Sequence, residues 1–256
     1  MPSHTAQKNH DELFPERNST LSITDPELIE VFDNFAFDEI QSHGNLSKET
    51  RLLTQLASTI AAQAHAEFRA LAAGALNTGI TPVQIKEVVY QAVVYQAVPY
   101  VGMSKVLDFL IAVNELFTDR GIGLPLEGQA TTSPADRMES GRAIQGDIFG
   151  HDSITAMYEN APDDEQHIQR ALSGNCFGDF VTRSGLDVRT RELLTFTMLV
   201  SLGGCEPQLA GHIQGNLNIG NTREVLLDVL TQLIPFIGYP RTLNGLRVLD
   251  QATLNK

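Results

Sequence analysis

The sequence predicts an all-α protein made of two tandem copies of one helical unit. Its apolar residues recur with helical spacing, and no segment alternates apolar and polar residues between hairpin turns. Helix-capping and helix-stop signals recur along the chain. The segment "GALNTGIT", residues 74–81, returns as "GNLNIGNT", residues 215–222. We therefore predict a duplicated helical architecture.

The repeat defines the predicted organisation of the chain. At a constant offset of 141, residues 34–99 and 175–240 share 14 identities in 66 positions, with glycines and a proline in step. The glycine- and proline-rich stretch between the copies is typical of a linker. The predicted divisions are a polar N-terminal tail (1–25), a first unit (26–117), a linker (118–136) and a second unit (137–256).

The first unit shows its helices in order. "KETRLLTQLASTIAA" is the first helix of the repeated core, and Asn77 to Gly79 form a stop. Thr81 is a predicted N-cap, with Pro82 at the first helical position and Gln84 completing a capping box. Pro99 is predicted to open a further helix that ends in "SKVLDFLIAVNEL".

The second unit repeats this order after a longer lead-in. Helices resume at "PADRMESGRAIQGDIFG" and continue through "SITAMYENAP" and "DEQHIQRALSGNCFGDF". "VRTRELLTFTMLVSL" matches the first core helix, and Asn218 to Gly220 repeat the stop. Thr222 opens "TREVLLDVLTQLIPF", and Pro240 opens the last helix, which contains "LNGLRVLDQ".

Composition excludes several classes of function. With 18 basic and 31 acidic residues, the formal charge is -13, which argues against nucleic-acid and anionic-membrane partners. No run of eighteen apolar residues exists, and the first 25 residues lack the apolar core of a signal peptide. Two cysteines are typical of reduced thiols. We expect a cytoplasmic protein.

The candidate site begins at Cys205. It follows Gly203 and Gly204, and Pro207 is suited to the first turn of a helix. A helix start favours anions, so we expect a stabilised thiolate at Cys205 and amides able to hold a carboxylate or an oxyanion.

Other polar residues follow on the same helix face. Cys205, Gln208 and His212 are spaced i, i+3, i+7, and Asn216 continues that face. Glu192, on the preceding helix, is the carboxylate expected to point toward it. We predict His212, Glu192 and Cys205 as catalytic residues around one cavity, and Gln208 and Asn216 as substrate-binding residues.

The two copies differ at these positions. Glycines Gly211 and Gly215 of this helix are expected to permit close packing. At the repeat offset, the titratable set has no equivalent in copy one, which indicates a degenerate first site. The matched pairs are Glu192 with Arg51, Cys205 with Ala64, Gln208 with Glu67, and His212 with Leu71.

Structural roles are open for the same residues. Cys205 could be a small core residue, His212 a hydrogen-bonded structural histidine, and Glu192 a partner of Arg189 or Arg191. Cys176 is predicted to lie in the core. Three tyrosines are expected to pack or to line a pocket, namely Tyr90, Tyr95 and Tyr100. We predict no metal or cofactor, because one cysteine and one histidine do not complete a ligand set.

"GNCFGDFVTRSGLDVRTRELLTFTMLVSLGG", followed by "HIQGNLNIGNTREVLLDVLTQLIPFIGYPRTLNGLRVLD", resembles the carboxymuconolactone decarboxylase family. The resemblance covers about residues 137–251 and, more weakly, about residues 26–116. It implies an all-helical alkylhydroperoxidase-D-like fold and a homo-oligomer, either a trimer of two-copy chains or a hexamer. It also implies decarboxylation of a lactone without metal or cofactor. The redox branch of the family carries a second cysteine where this chain has Gln208.

Three functions are open from the sequence. The first is cofactor-free decarboxylation or proton transfer on a small, anionic lactone or keto acid, with His212 as general acid/base and Glu192 orienting it. The second is a single-cysteine thiol peroxidase acting through Cys205, which would need an external thiol to resolve it. The third is a non-enzymatic oligomeric binding protein.

Overall fold

The computed structural model describes residues 1–15, 19–94 and 101–254, and every regular element in these ranges is helical, so the all-α prediction is confirmed. No helix within them is long and apolar enough to cross a membrane. The α-helices are α1 (His4–Leu13), α2 (Leu21–Thr24), α3 (Pro26–Asn34), α4 (Lys48–Ala61), α5 (His65–Asn77), α6 (Pro82–Val94), α7 (Met103–Asp119), α8 (Arg137–Phe149), α9 (His151–Glu159), α10 (Gln166–Ala171), α11 (Val188–Leu202), α12 (Glu206–Asn218) and α13 (Arg223–Thr253). Two π-helical segments, Phe35–Glu39 and Leu172–Val181, precede α4 and α11.

The tandem duplication is visible in the helices. Helices α5 and α12 start and end at positions separated by the repeat offset, and both are followed by a glycine, Gly79 or Gly220, with φ of +92°. These glycines end the helices in a left-handed conformation that other residues rarely adopt. Helix α6 corresponds in the same way to the start of α13.

The first core helices of the two copies end in step but start one residue apart. Helices α4 and α11 end at Ala61 and Leu202, which are separated by 141 positions, whereas their N-caps, Ser47 and Asp187, are separated by 140, because α11 has one residue more at its start. The offset of 141 therefore holds along the helix, Glu192 corresponds to Arg51, and copy one has no carboxylate there.

The local capping signals form as predicted. The Thr81 backbone N–H donates to Gln84 Oε1 at 2.9 Å, and the Gln84 N–H donates to Thr81 Oγ1 at 3.2 Å. Helix α13 is interrupted at Gly238, with φ of 73°, two residues before Pro240. The predicted helix start at Pro99 lies outside the described residues, as do Tyr95 and Tyr100.

The third helix of each unit packs on the central helices of both units. Helices α4 and α11 pack together at the centre, α6 reaches α11 and the second π-helical segment, and α13 reaches α4 and the first. Gln91 accepts from Arg191 at 3.0 Å, and its repeat equivalent Gln232 donates to the carbonyls of Ile40 and His43 at 2.8 and 2.9 Å. Equivalent side chains therefore cross the interface in both directions, as in a two-fold dimer.

A matched pair of glycines marks the same interface. A Cβ atom on Gly185 would lie 2.5 Å from Glu87 Cγ, and one on Gly44 would lie 2.6 Å from Asp228 Cγ. Gly44 and Gly185 are repeat equivalents, as are Glu87 and Asp228. Each glycine thus lets an acidic side chain of the opposite unit approach the backbone closely.

The N-terminal 25 residues contain order that the sequence did not predict. Helix α1 is capped by Ser3, whose Oγ accepts from the Ala6 N–H at 3.0 Å and donates to Asp38 at 2.5 Å. Ala6 and Leu13 are buried in the core of the first unit. One narrow apolar edge in an otherwise polar helix is enough to dock it.

The stretch between the units packs on the second unit through main-chain contacts. Thr131 and Thr132 donate to the carbonyls of Thr182 and Gly178 at 2.9 and 2.6 Å. The Ser184 N–H donates to the Gln129 carbonyl at 3.0 Å. These bonds fix the course of this stretch beside α6 and the second π-helical segment.

Candidate functional site

The candidate site is built on the hairpin of α11 and α12. Asp187 caps α11 by accepting from the Thr190 N–H at 2.7 Å, and the helix ends at Gly203, which has φ of 70°. Gly204, with φ of 73°, completes the reversal before Cys205, the N-cap of α12. The two helices consequently run antiparallel and present one face of each to the other.

Glu192 and His212 meet across this hairpin. Nδ1 of His212 lies 2.7 Å from Oε2 of Glu192. Glu192 is fully buried, and the His212 side chain is 8% exposed. A buried carboxylate held by an imidazole fixes the orientation of the ring, and the pair can store or release one proton. The predicted convergence of these two side chains is present in the structure.

Close packing around the pair depends on Gly215. A Cβ atom there would lie 2.8 Å from Phe149 Cε1, 2.9 Å from Ile148 Cγ2 and 3.3 Å from Glu192 Oε2. The Phe149 ring meets the His212 ring edge to face, with centroids 5.2 Å apart. The end of α8 therefore forms an apolar wall beside the imidazole. The expectation of close packing holds at Gly215, whereas a Cβ atom on Gly211 would meet nothing within 4 Å.

Asn216 supports the hairpin from within. Its Nδ2 donates to the carbonyls of Glu192 and His212 at 3.0 and 2.8 Å, and its Oδ1 accepts from Asn221 at 2.7 Å. Both amide hydrogens are thus directed at main-chain oxygens, and the side chain is fully buried. This geometry gives Asn216 a positioning role, in place of the predicted direct contact with substrate.

Cys205 lies away from the pair. Its Sγ donates to the Leu199 carbonyl at 3.3 Å. Seven residues separate Cys205 from His212 on α12, as they separate Glu192 from Leu199 on α11, so the sulfur and the pair lie about 10 Å apart along the hairpin. The three predicted catalytic side chains therefore do not surround one cavity.

The acidity of Cys205 is also opposite to the expected one. Burial, followed by the negative charge of Glu206, raises the pKa of the Cys205 thiol to about 11. A helix start favours a thiolate only by a modest amount, and removal of the sulfur from water outweighs it here. The predicted stabilised thiolate is wrong.

Cys176, the second cysteine, is affected by the charge of Glu192. Cys176 is buried in the second π-helical segment, as predicted. Burial raises the pKa of its thiol well above the ordinary value, and the charge of Glu192 raises it further. Both thiols are therefore protonated at neutral pH.

Gln208 is exposed in the first turn of α12, one turn before His212. Ile148 and Phe149, which form the apolar wall of the pair, were not among the predicted site residues. The available signal was the apolar end of α8 next to Gly150, a glycine with φ of 92° that separates α8 from α9.

Tyr90, which was expected to pack or to line a pocket, lies beneath the Arg183 guanidinium. The centroid of its ring is 5.0 Å from Arg183 Cζ.

The fold and the site define a class of protein: duplicated helical hairpin units, one of which buries a carboxylate–imidazole pair. The carboxymuconolactone decarboxylase family model matches residues 26–110 and 166–251, one match for each copy, and the chain belongs to this family. The chain is 25% identical over 115 residues to a 4-carboxymuconolactone decarboxylase of Acinetobacter baylyi. That match covers 45% of this chain and 85% of the relative, whose length thus corresponds to about one unit.

Proposed function

We propose that the chain is a cofactor-free decarboxylase of a small, anionic lactone or keto acid, with its active site in the second unit. The observation that carries this proposal is the 2.7 Å contact between the buried Glu192 carboxylate and His212 Nδ1. Membership of the decarboxylase family and the activity named for the Acinetobacter baylyi relative support the reaction class.

His212 is the proposed proton donor. When the substrate carboxylate leaves as carbon dioxide, the electron pair of the broken carbon–carbon bond passes to the conjugated carbonyl as an enolate. A proton from the imidazolium then neutralises the α- or γ-carbon, and water restores the proton to the ring. With Nδ1 on Glu192, the proposal assigns this exchange to Nε2.

Glu192 is the proposed positioning residue. A carboxylate on Nδ1 fixes the tautomer and the ring orientation and stabilises the imidazolium. Asn216 contributes indirectly, because it ties the backbones of the two helices together at the level of the pair. In copy one, Leu71 occupies the histidine position, so the proposal gives each chain one active and one inactive unit.

The test is turnover of 4-carboxymuconolactone, followed by loss of substrate absorbance and by release of carbon dioxide. His212→Gln removes the acid/base and is expected to lower kcat by about 10²–10⁴-fold. Glu192→Gln removes the orienting charge and is expected to lower kcat by about 10–100-fold, with a shifted pH profile.

Cys205→Ala is the matched control and is expected to leave turnover unchanged. Wild-type turnover by His212→Gln would remove the histidine from its role. No turnover by the wild type of this lactone, or of a panel of related lactones and keto acids, would contradict the decarboxylase proposal and favour a binding protein.

Nothing in the geometry favours the thiol-peroxidase alternative. A peroxidatic cysteine reacts as the thiolate, and a thiol with a pKa of about 11 is only about one part in 10⁴ thiolate at pH 7.

A further inference from the structure

A cavity of about 360 Å³ lies where the first unit, the stretch after α7 and the second unit meet. Glu192, Cys205 and His212 do not line it, so it is separate from the proposed active site. Polar side chains face it from α6, α7, the connecting stretch and the end of the second π-helical segment. They are Lys86, Glu87, Tyr90, Asn114, Gln129 and Arg183.

Lys86 is a buried cation in this wall. It is 9% exposed. Its ammonium donates to Asn114 Oδ1 and lies 5.8 Å from the centroid of the Phe117 ring. Among the described residues, no carboxylate lies within 4 Å of the ammonium. Burial without an anionic partner is costly for a lysine, and burial accordingly lowers its pKa.

The positive charge of Lys86 is reinforced from the second unit. Glu87, 1% exposed, accepts from Arg183 at 2.7 Å and from Arg191 at 2.8 Å. Two guanidinium groups therefore share one buried carboxylate. Glu127 also lines the cavity, but it is exposed and its charge is screened by water. Lys86 and Arg183 against Glu87 leave the inner wall with one positive charge in surplus, and Arg191, which does not line the cavity, adds its charge behind Glu87.

The remaining wall is apolar. Val83 and the Tyr90 ring face the cavity from α6, and Leu124, Pro125 and Leu126 face it from the connecting stretch. The volume is at the lower end of the range for small-molecule sites. An anion that fits must therefore be small and must carry an apolar body beside its charge.

We infer that this cavity binds a small organic carboxylate, with the charged end at the Lys86 ammonium and the apolar body against Val83, Tyr90 and Leu126. Such a ligand supplies the anionic partner that Lys86 lacks, and it contacts both units and the stretch that joins them. Binding here does not depend on the proposed decarboxylase activity, because the two sites share no lining residue.

The test uses 4-fluorobenzoate as the probe, titrated into the full chain by calorimetry and by ¹⁹F NMR line broadening. The neutral isostere 4-fluorobenzamide is expected to bind about 10-fold or more weakly, because it lacks the charge that Lys86 recognises. Lys86→Gln is expected to lose a similar factor, and Lys86→Arg to retain most of the affinity.

Two variants serve as controls. Lys105→Gln makes the same change of charge at an exposed position of α7, and His212→Gln alters the proposed active site. Both are expected to bind the probe as the wild type does. Lys86→Gln is expected to remain folded, since it leaves no unpaired charge behind, and a thermal melt verifies this.

The inference is overturned if Lys86→Gln binds the probe as tightly as the wild type, or if the amide matches the carboxylate. Loss of binding in His212→Gln would move the probe to the active site and overturn it as well. No binding of 4-fluorobenzoate or of the smaller aliphatic carboxylate isovalerate by the wild type would have the same consequence.

Discussion

At the scale of single residues, burial decides the chemistry of the two sulfurs and of the acid–imidazole pair. Cys205 occupies a helix start, a position that favours an anion, yet its pKa rises to about 11 because it is half buried among apolar side chains. Glu192 is more deeply buried but has His212 within hydrogen-bond distance. A candidate catalytic group is therefore distinguished from a buried structural one by its hydrogen-bond partner rather than by its position on a helix.

Alkylation of Cys205 tests this view. We expect its rate of reaction with iodoacetamide to increase about tenfold per pH unit up to a plateau near pH 11, because only the thiolate reacts. The measurement is peptide mass spectrometry of Cys205 across pH, with glutathione as a reference thiol that levels off about two units lower. A plateau below pH 8 would contradict the raised pKa of Cys205 and would favour the thiol-peroxidase alternative.

At the scale of helices, close approach of backbones positions the site. Helix α8 lies against the second π-helical segment because glycines stand at the crossing. A Cβ atom on Gly141 would lie 1.9 Å from the Ser173 carbonyl oxygen, and one on Gly178 would lie 2.0 Å from that of Arg137. The same helix ends in Phe149, which packs on His212, so this crossing and the pair are mechanically connected.

Gly178→Ala is expected to destabilise the fold by about 3 kcal/mol, because the new methyl group meets rigid backbone and α8 must move. Its matched control is Gly211→Ala on α12, where the methyl group has open space and removes glycine from a helix interior. We expect that control to gain up to about 1 kcal/mol. Guanidinium denaturation of both variants provides the comparison, and wild-type stability of Gly178→Ala would refute the crossing argument.

At the scale of the whole molecule, the buried charges hold the two units together. Glu87 of the first unit binds Arg183 and Arg191 of the second. Arg191 is fully buried, and it also donates to Gln91 and to the carbonyls of Leu186 and Arg183. Burial lowers the pKa of Arg191, while its hydrogen bond and ion pair with Glu87 oppose this.

Glu87→Gln is therefore expected to cost about 3–5 kcal/mol of unfolding free energy, since it leaves the buried guanidinium of Arg191 and the partly exposed one of Arg183 without their carboxylate. Glu115→Gln is the matched control, because it breaks an ion pair with Arg69 in which both side chains are about half exposed. That control is expected to cost less than about 1 kcal/mol. Equal losses in chemical denaturation would show that the interface network adds no more than a surface pair.

The predicted homo-oligomer also belongs to this scale and stays a prediction. Helix α7 exposes Met103, Leu107 and Ile111 on one side, and α13 exposes Tyr239 and Leu243. Sedimentation analysis distinguishes a single chain from the two expected oligomers, a trimer of two-copy chains and a hexamer.

Local signals in the sequence were sufficient for the helices of the two repeated cores and for half of the site. The capping box at Thr81 and the stops at Gly79 and Gly220 depend on neighbours within a few residues, so they could be predicted. The Glu192–His212 contact could be predicted because both residues lie on one helical hairpin. Cys205 was wrongly grouped with the pair because residues on the same face of a helix can lie far apart along its axis.

Other features depend on contacts that no local pattern encodes. The positive cavity at Lys86 arises only where the stretch after α7 folds beside the second unit. The wall at Phe149 depends on the crossing of α8 with a π-helical segment, and the docking of α1 depends on two small apolar contacts in a polar sequence. These arrangements join residues distant in the chain.

The packing of each third helix on both central helices has a consequence for any attempt to divide the chain. A cut between α7 and α8 would leave each fragment its own third helix but would remove the central and third helices of the opposite unit, so the surface that they cover would be exposed to water. The fragments should be poorly folded alone and should recover native structure when mixed in equal amounts. The covalent connection keeps each half at a high effective concentration near the other.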